Sequence, residues 1–183
     1  MLPTLLLSGA LILSVAIQGS LAWTPANEPI HKQVVQANDD AKTVVDSCNT
    51  WLGPGPSHIP ASGDTETAIL KLDATLDLAT VLLAKADVTL SASDLLDVIA
   101  LINTLKVDVS IIVGLVTARL LDIKLGAKAL LLQGLLVKLQ ASIKGFKDAC
   151  AKKASTDSAN ILIKLALDLD LELSTCIGLL GIL

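Results

Sequence analysis

Three cysteines, Cys48, Cys150 and Cys176, are the side chains of this 183-residue sequence best suited to covalent chemistry. They lie too far apart for the close pairs that zinc sites use, so neither a metal nor another cofactor is expected. His31 and His58 are the only histidines, and both read as solvated polar residues. Ser57 precedes His58, but adjacency in sequence does not orient a base on a nucleophile, and no Gly-x-Ser-x-Gly elbow occurs. Phosphate-cradling glycine loops and paired-histidine metal motifs are missing as well. These features give no catalytic residues, and no enzyme is expected. Lys124, Lys128, Lys138, Lys144 and Lys147 form a further polar series. Most simply they mark a solvent face, although a lysine at a cavity mouth could hold a carboxylate while its stem covers apolar surface.

The elements that position these residues are read as helices. From Ser91 to Cys150 there is no proline, and Leu95, Val98, Ile102, Leu105, Val109, Ile112, Val116, Leu120 and Ile123 recur at steps of three and four. That spacing predicts a long helix over about 92–124. Gly126 resets the pattern, and a helix over about 127–150 follows with Leu132, Leu135, Leu139, Ile143, Phe146 and Cys150 on its stripe. A short turn between the two predicts a helical hairpin. Ser91 with Asp94 has the capping-box pattern. Earlier, Pro29 suits a first helical turn, and Ile30, Val34, Ala37, Ala41, Val44, Cys48 and Trp51 predict a helix over 29–52. It is the least apolar helix and is expected on the outside. Gly53 to Pro60 stops it. A helix over 64–86 is striped by Ile69, Leu72, Leu76, Ala79 and Leu83, and one over 156–180 by Leu162, Leu165, Leu169, Leu173, Cys176 and Leu180. Strict alternation from Leu167 to Leu173 resembles a strand, but there is no second strand for it to pair with, so helix is preferred.

The fold class is therefore all-α, an up-and-down bundle of about five helices in one domain, residues 23–183. With alternating directions, Cys48 and Cys176 share a level at one pole and Cys150 sits at the other. A Cys48–Cys176 disulfide with Cys150 free and buried is expected, stabilising the bundle by about 2 to 4 kcal/mol.

Composition narrows the class further. Hydrophobic residues are 52% of the chain and mean hydropathy is +0.68, yet aromatics are only 2%, so the core must be aliphatic. A net charge of -4 gives no electrostatic reason to expect nucleic acid or an anionic membrane surface as partner. Leu5 to Ile17 is a short apolar run, followed by small residues at Ser20 and Ala22. It reads as a secretory signal over 1–22, cleaved after Ala22, which places the cysteines in an oxidising compartment. Downstream, charges break every long apolar run, so no transmembrane segment is expected.

Leu96, Ile99, Ile111, Leu115, Leu121, Leu130, Leu131, Leu136 and Val137 lie outside the single seams. Either their helices are central and touched all round, or the surplus lines a cavity for an acyl chain or meets a hydrophobic surface. The residues alone leave both open.

Leu90-Ser91-Ala92-Ser93-Asp94-Leu95-Leu96 opens one helix, which passes through Leu120-Leu121-Asp122-Ile123-Lys124-Leu125-Gly126 into another. With the signal, the Gly/Pro/Ser loop and a final helix to the terminus, this layout resembles the fungal hydrophobic-surface-binding protein A family, or cell-wall galactomannoproteins, over about residues 29–181. The resemblance implies a secreted, non-enzymatic helical protein that adsorbs to hydrophobic surfaces, some relatives holding fatty acids between their helices. It favours a fatty acid or other lipid, or a hydrophobic surface, as partner, with ligand-facing positions at Leu76, Leu83, Ile112, Val116, Leu135, Leu139, Leu165 and Leu169. The alternative is a structural or interaction protein of the cell wall with a filled core and an extracellular protein partner.

Overall fold

A computed structural model describes residues 23, 25–52, 63–85, 89–125 and 128–181. The expected signal segment 1–22, the Gly53–Pro60 loop with Ser57 and His58, and the reset at Gly126 all lie outside the described residues. Six helices follow in order: α1 Glu28–Leu52, α2 Gly63–Lys85, α3 Ala92–Ala118, α4 Leu120–Leu125, α5 Ala129–Lys153 and α6 Thr156–Gly181. The protein is an all-α bundle. Leu167 to Leu173 is helical, as the lack of a pairing strand requires.

Five long helices close into a ring in the order α1, α2, α5, α6, α3 and back to α1. Their directions alternate along the chain, yet chain neighbours are not always packing neighbours. α1 and α2 are antiparallel, as are α5 and α6. α2 runs parallel to α5, with Ser142 Oγ 2.6 Å from Asp73 Oδ1. α3 runs parallel to α6, joined by Lys106 to Asp168 at 2.7 Å and by Ser110 to Glu172.

Several expectations change here. The long helix over 92–124 breaks at Arg119 (φ -115°, ψ 16°), and α4 begins after it. Arg119 Nε donates to the carbonyl of Leu52 at 3.3 Å, and a terminal nitrogen reaches Asp122 at 3.2 Å. The guanidinium thus ties the break to the end of α1, and α4 passes across α6 to deliver the chain to α5. For that reason α3 and α5 are not a packed hairpin. Neither helix is central, because each long helix has two principal neighbours, and α1 is one member of the ring rather than an outer strut. α3 is also long and apolar enough to cross a membrane by length and composition, with 33% of its most apolar window buried. Its only charges from Val98 to Ala118 are Lys106 and Asp108, and Lys106 is paired to Asp168.

The core is aliphatic, with Phe146 its largest fully buried side chain. Every stripe position from Leu95 to Val116 is buried, as are those from Leu132 to Cys150. On α6 the stripe bends: Ala166 takes the buried place expected for Leu165, which is half-buried against the core. Ser91 caps α3 in the expected box, its hydroxyl accepting from Asp94 N at 3.2 Å while its own N–H donates to Asp94 Oδ2 at 2.9 Å.

Candidate functional site

Ala166 has a consequence for the α5–α6 seam. A leucine at this inward position would fill the space between the helices, whereas alanine leaves a cleft of about 140 Å³. Ile143, Ala166 and Leu173 form its buried floor, and Leu167 stands exposed at the lip. The polar rim is Gln140, Lys144, Lys147 and Asp170. Gln140 Nε2 donates to Asp170 Oδ1 at 2.7 Å and to Ser174 Oγ at 2.8 Å, which turns part of the acid's charge towards the amide. Lys147 keeps only 15% of its side chain exposed and pairs with Asp148 at 2.8 Å. Lys144 has no ion pair among the described residues. An apolar slot with an unpaired ammonium at its mouth fits an amphiphile that ends in a carboxylate.

A cleft of this size is below the roughly 300 to 1,000 Å³ of ordinary small-molecule pockets, with room for part of an alkyl chain rather than a whole one. A wider groove of about 560 Å³ lies between α2 and α5, lined by Thr80, Leu83, Ala84, Gly145 and the C-terminal turns of α5. Its lining is more polar and it is more open to solvent.

Of the eight positions expected to face a ligand, Leu76, Leu83, Ile112, Val116, Leu135, Leu139 and Leu169 are buried in one continuous core, and Leu165 packs on its edge. Leu83 lines the α2–α5 groove, while none of the eight lines the α5–α6 cleft. Leu139 and Leu169 sit one helical turn from Ile143 and Leu173 of that cleft's floor. Sequence reasoning missed Ile143, Ala166 and Leu173 as site residues. It did name Lys144 and Lys147, and both come to the cleft. Lys128 pairs instead with Glu66 at 3.5 Å, and the side chain of Lys124 lies outside the description.

All three cysteines are buried thiols, and the expected Cys48–Cys176 bond is not formed in this structure. Burial, with the nearby Cys176 adding to it, pushes the Cys48 thiol up to about 12. Burial alone pushes Cys176 up to about 11 and raises Cys150 further. His31 stacks on Trp23 with ring centroids 5.0 Å apart, and Trp23 Nε1 donates to Asp97 at 2.6 Å. That imidazole is part of the clasp that holds Trp23 onto α3.

No family model matches the chain, and no curated protein matches it. Solved structures do. Afmp4p in complex with palmitic acid is similar over 84% of this chain and 99% of its own, with 19% identity and a TM-score of 0.74. Ligand binding domain 1 of Penicillium marneffei MP1 protein, complexed with arachidonic acids, is 10% identical with a TM-score of 0.70. It is matched over 99% of its length by 86% of this chain. Domain 2 of the same protein, complexed with multiple arachidonic acids, is 14% identical, with coverages of 86% and 96% and a TM-score of 0.56. At these identities the likeness establishes the fold: this chain has the helical bundle seen in those lipid-bound proteins.

Proposed function

We propose that this protein binds fatty acids, the acyl chain entering between α5 and α6 and the carboxylate resting on Lys144. The observation that carries the reading is the cleft itself, apolar at Ile143, Ala166 and Leu173 and faced by an unpaired lysine. Support comes from the palmitic and arachidonic acids bound by proteins of the same fold. Beyond the floor the chain would meet Leu139 and Leu169 and then the other core leucines expected from the sequence. Binding is non-enzymatic. Secretion after cleavage at Ala22, and membership of the hydrophobic-surface-binding family, belong to the same reading.

Titration with a fluorescent fatty acid, followed by native mass spectrometry, tests it. Saturation near one ligand per chain is expected. Ala166→Leu, which fills the slot, should weaken binding at least tenfold, and Lys144→Glu should weaken it for the acid but not for the corresponding alcohol. Absence of saturation, or indifference to Ala166→Leu, would sink the cleft.

A second reading rests on a different observation. Leu96, Val107, Ile111, Leu121, Leu167 and Leu171 are each at least 40% exposed, which suits adsorption to a hydrophobic surface or a structural role with a filled core. Adsorption to apolar beads without saturable fatty-acid binding would favour it.

A further inference from the structure

The net charge of -4 is not spread evenly. α5 carries Lys138, Lys144, Lys147, Lys152 and Lys153 against Asp148 alone. Each of the other long helices has more acids than bases. Three of the four acids of neighbouring α6 are engaged, Asp168 and Glu172 bonding to α3 and Asp170 accepting from Gln140, and the fourth, Asp157, lies in its first turn.

The outward row of α5 runs at steps of four and three through Leu130, Gly134, Val137, Ala141, Lys144 and Asp148, and all six are exposed. Its upper half is small and apolar, with Leu130 66% and Val137 47% exposed, and its lower half is charged. Beside it on α6, Ile163, Leu167 and Leu171 form a second exposed apolar row at steps of four. Since α5 and α6 pack together, the two rows make one face of leucines bordered by lysines. The cleft opens on that face, between Lys144 and Leu167.

From this we infer that the outer face of the α5–α6 hairpin docks on an anionic lipid bilayer. Lysine ammonium groups meet the lipid phosphates and carboxylates, and the leucines enter the headgroup boundary. A neutral apolar surface would offer Lys138, Lys144 and Lys152 no counter-charges, and a soluble polyanion would leave the leucine rows in water. The docked orientation points the cleft mouth at the acyl region, so a fatty acid can pass between membrane and protein without crossing bulk water. This last consequence rests on the fatty-acid reading; the docking does not.

The test is vesicle flotation of the full protein with phosphatidylcholine alone and with phosphatidylcholine containing phosphatidylserine, at low and raised salt. Binding to the phosphatidylserine vesicles that falls as salt rises is expected, with little binding to phosphatidylcholine. The double variant Lys138→Glu, Lys152→Glu should lower that binding by roughly tenfold or more. Leu171→Ser should lower it less, and at every salt concentration. These exposed positions lie outside the α5–α6 cleft, so the same variants titrated with fluorescent fatty acid in vesicle-free solution should behave as the parent. Equal binding to both vesicle types, binding to neither, or indifference to the lysine reversals would overturn the docking face. Normal vesicle binding together with no saturable fatty-acid site would instead refute the ligand reading and leave the docking intact.

Discussion

Asp40 and Asp108 are carboxylates facing helix seams, and their surroundings push them in opposite directions. Burial alone would raise Asp40, which is 1% exposed. Thr75 at 2.7 Å, Lys71 at 3.0 Å and Gln36 at 2.8 Å outweigh that and hold it below its ordinary value. Its contribution is complete above the carboxylate value of the unfolded chain and is lost as pH falls through the depressed folded value. Asp108 is raised, chiefly by burial, with Asp46 adding to it against Lys42, and its Oδ2 is buried without a hydrogen-bond partner. Its folded form favours the proton, so stability is lost as pH rises through the raised value. Asp40→Asn should therefore destabilise at neutral pH, by about 1 to 3 kcal/mol, and flatten the loss on acidification. Asp108→Asn should raise the melting temperature at neutral pH and have no such effect below pH 4. Thermal melts across pH separate them, and a neutral-pH loss from Asp108→Asn would contradict the assignment. The sequence made Ala37 and Ala41 visible as core but not Asp40, because an acid's burial depends on Thr75 and Lys71 of another helix. The cysteines were more legible, since inward phase and shared pole follow from spacing and direction. Oxidation by glutathione disulfide should couple Cys48 to Cys176, releasing two glutathiones, and leave Cys150 a thiol; peptide mapping that finds Cys150 in the bond would refute this.

Elements were legible where periodicity and capping agree and less so where a distant contact intervenes. The start of α3 is of the first kind. Ser91 and Asp94 cap each other, and Asp94 Oδ2 also accepts from Asn27 Nδ2 at 2.8 Å, so the same carboxylate ties α1's entry to α3. Ser91→Ala should cost about 1 kcal/mol. Asp94→Ala removes two jobs and should cost roughly twice that, with the double variant close to Asp94→Ala alone. Urea midpoints measure all three, and simple additivity would show that the box is not a unit. The α3–α4 break is of the second kind. Val116, Leu120 and Ile123 keep the helical step straight through Arg119, and only the Leu52 carbonyl on α1 reveals why the chain turns there. Ala166 is similar: its neighbour Leu165 is the better hydrophobe, so a search for the strongest apolar stripe passed over the small residue that leaves the cleft.

At the scale of the whole ring, each of the five seams has its own fastening. α1 and α2 share the buried Asp40 network, α2 and α5 the Ser142–Asp73 bond, and α3 and α6 the Lys106–Asp168 pair. α1 and α3 are joined at both poles, by Asn27 and Trp23 at one end and Arg119 at the other. The described side-chain hydrogen bonds across the α5–α6 seam come from Gln140, which is largely exposed where it bonds, and from Gln133 to the Ile177 carbonyl at 3.3 Å. It also contains the cleft, which at about 140 Å³ is too small for a whole acyl chain. On the fatty-acid reading proposed above, ligand entry would part the seam that holds the cleft, a local opening rather than global unfolding. Amide hydrogen exchange should be fastest, among the seam-facing turns, at residues 140–147 of α5 and 163–174 of α6. Palmitate should slow exchange there, while leaving the α1–α2 seam unchanged. Saturation at a hundredfold excess over the dissociation constant should add about 2.7 kcal/mol to stability. Protection spread evenly over all five helices would mean that the ring moves as one body, and protection confined to α2 and α5 would put the ligand in the wider groove instead.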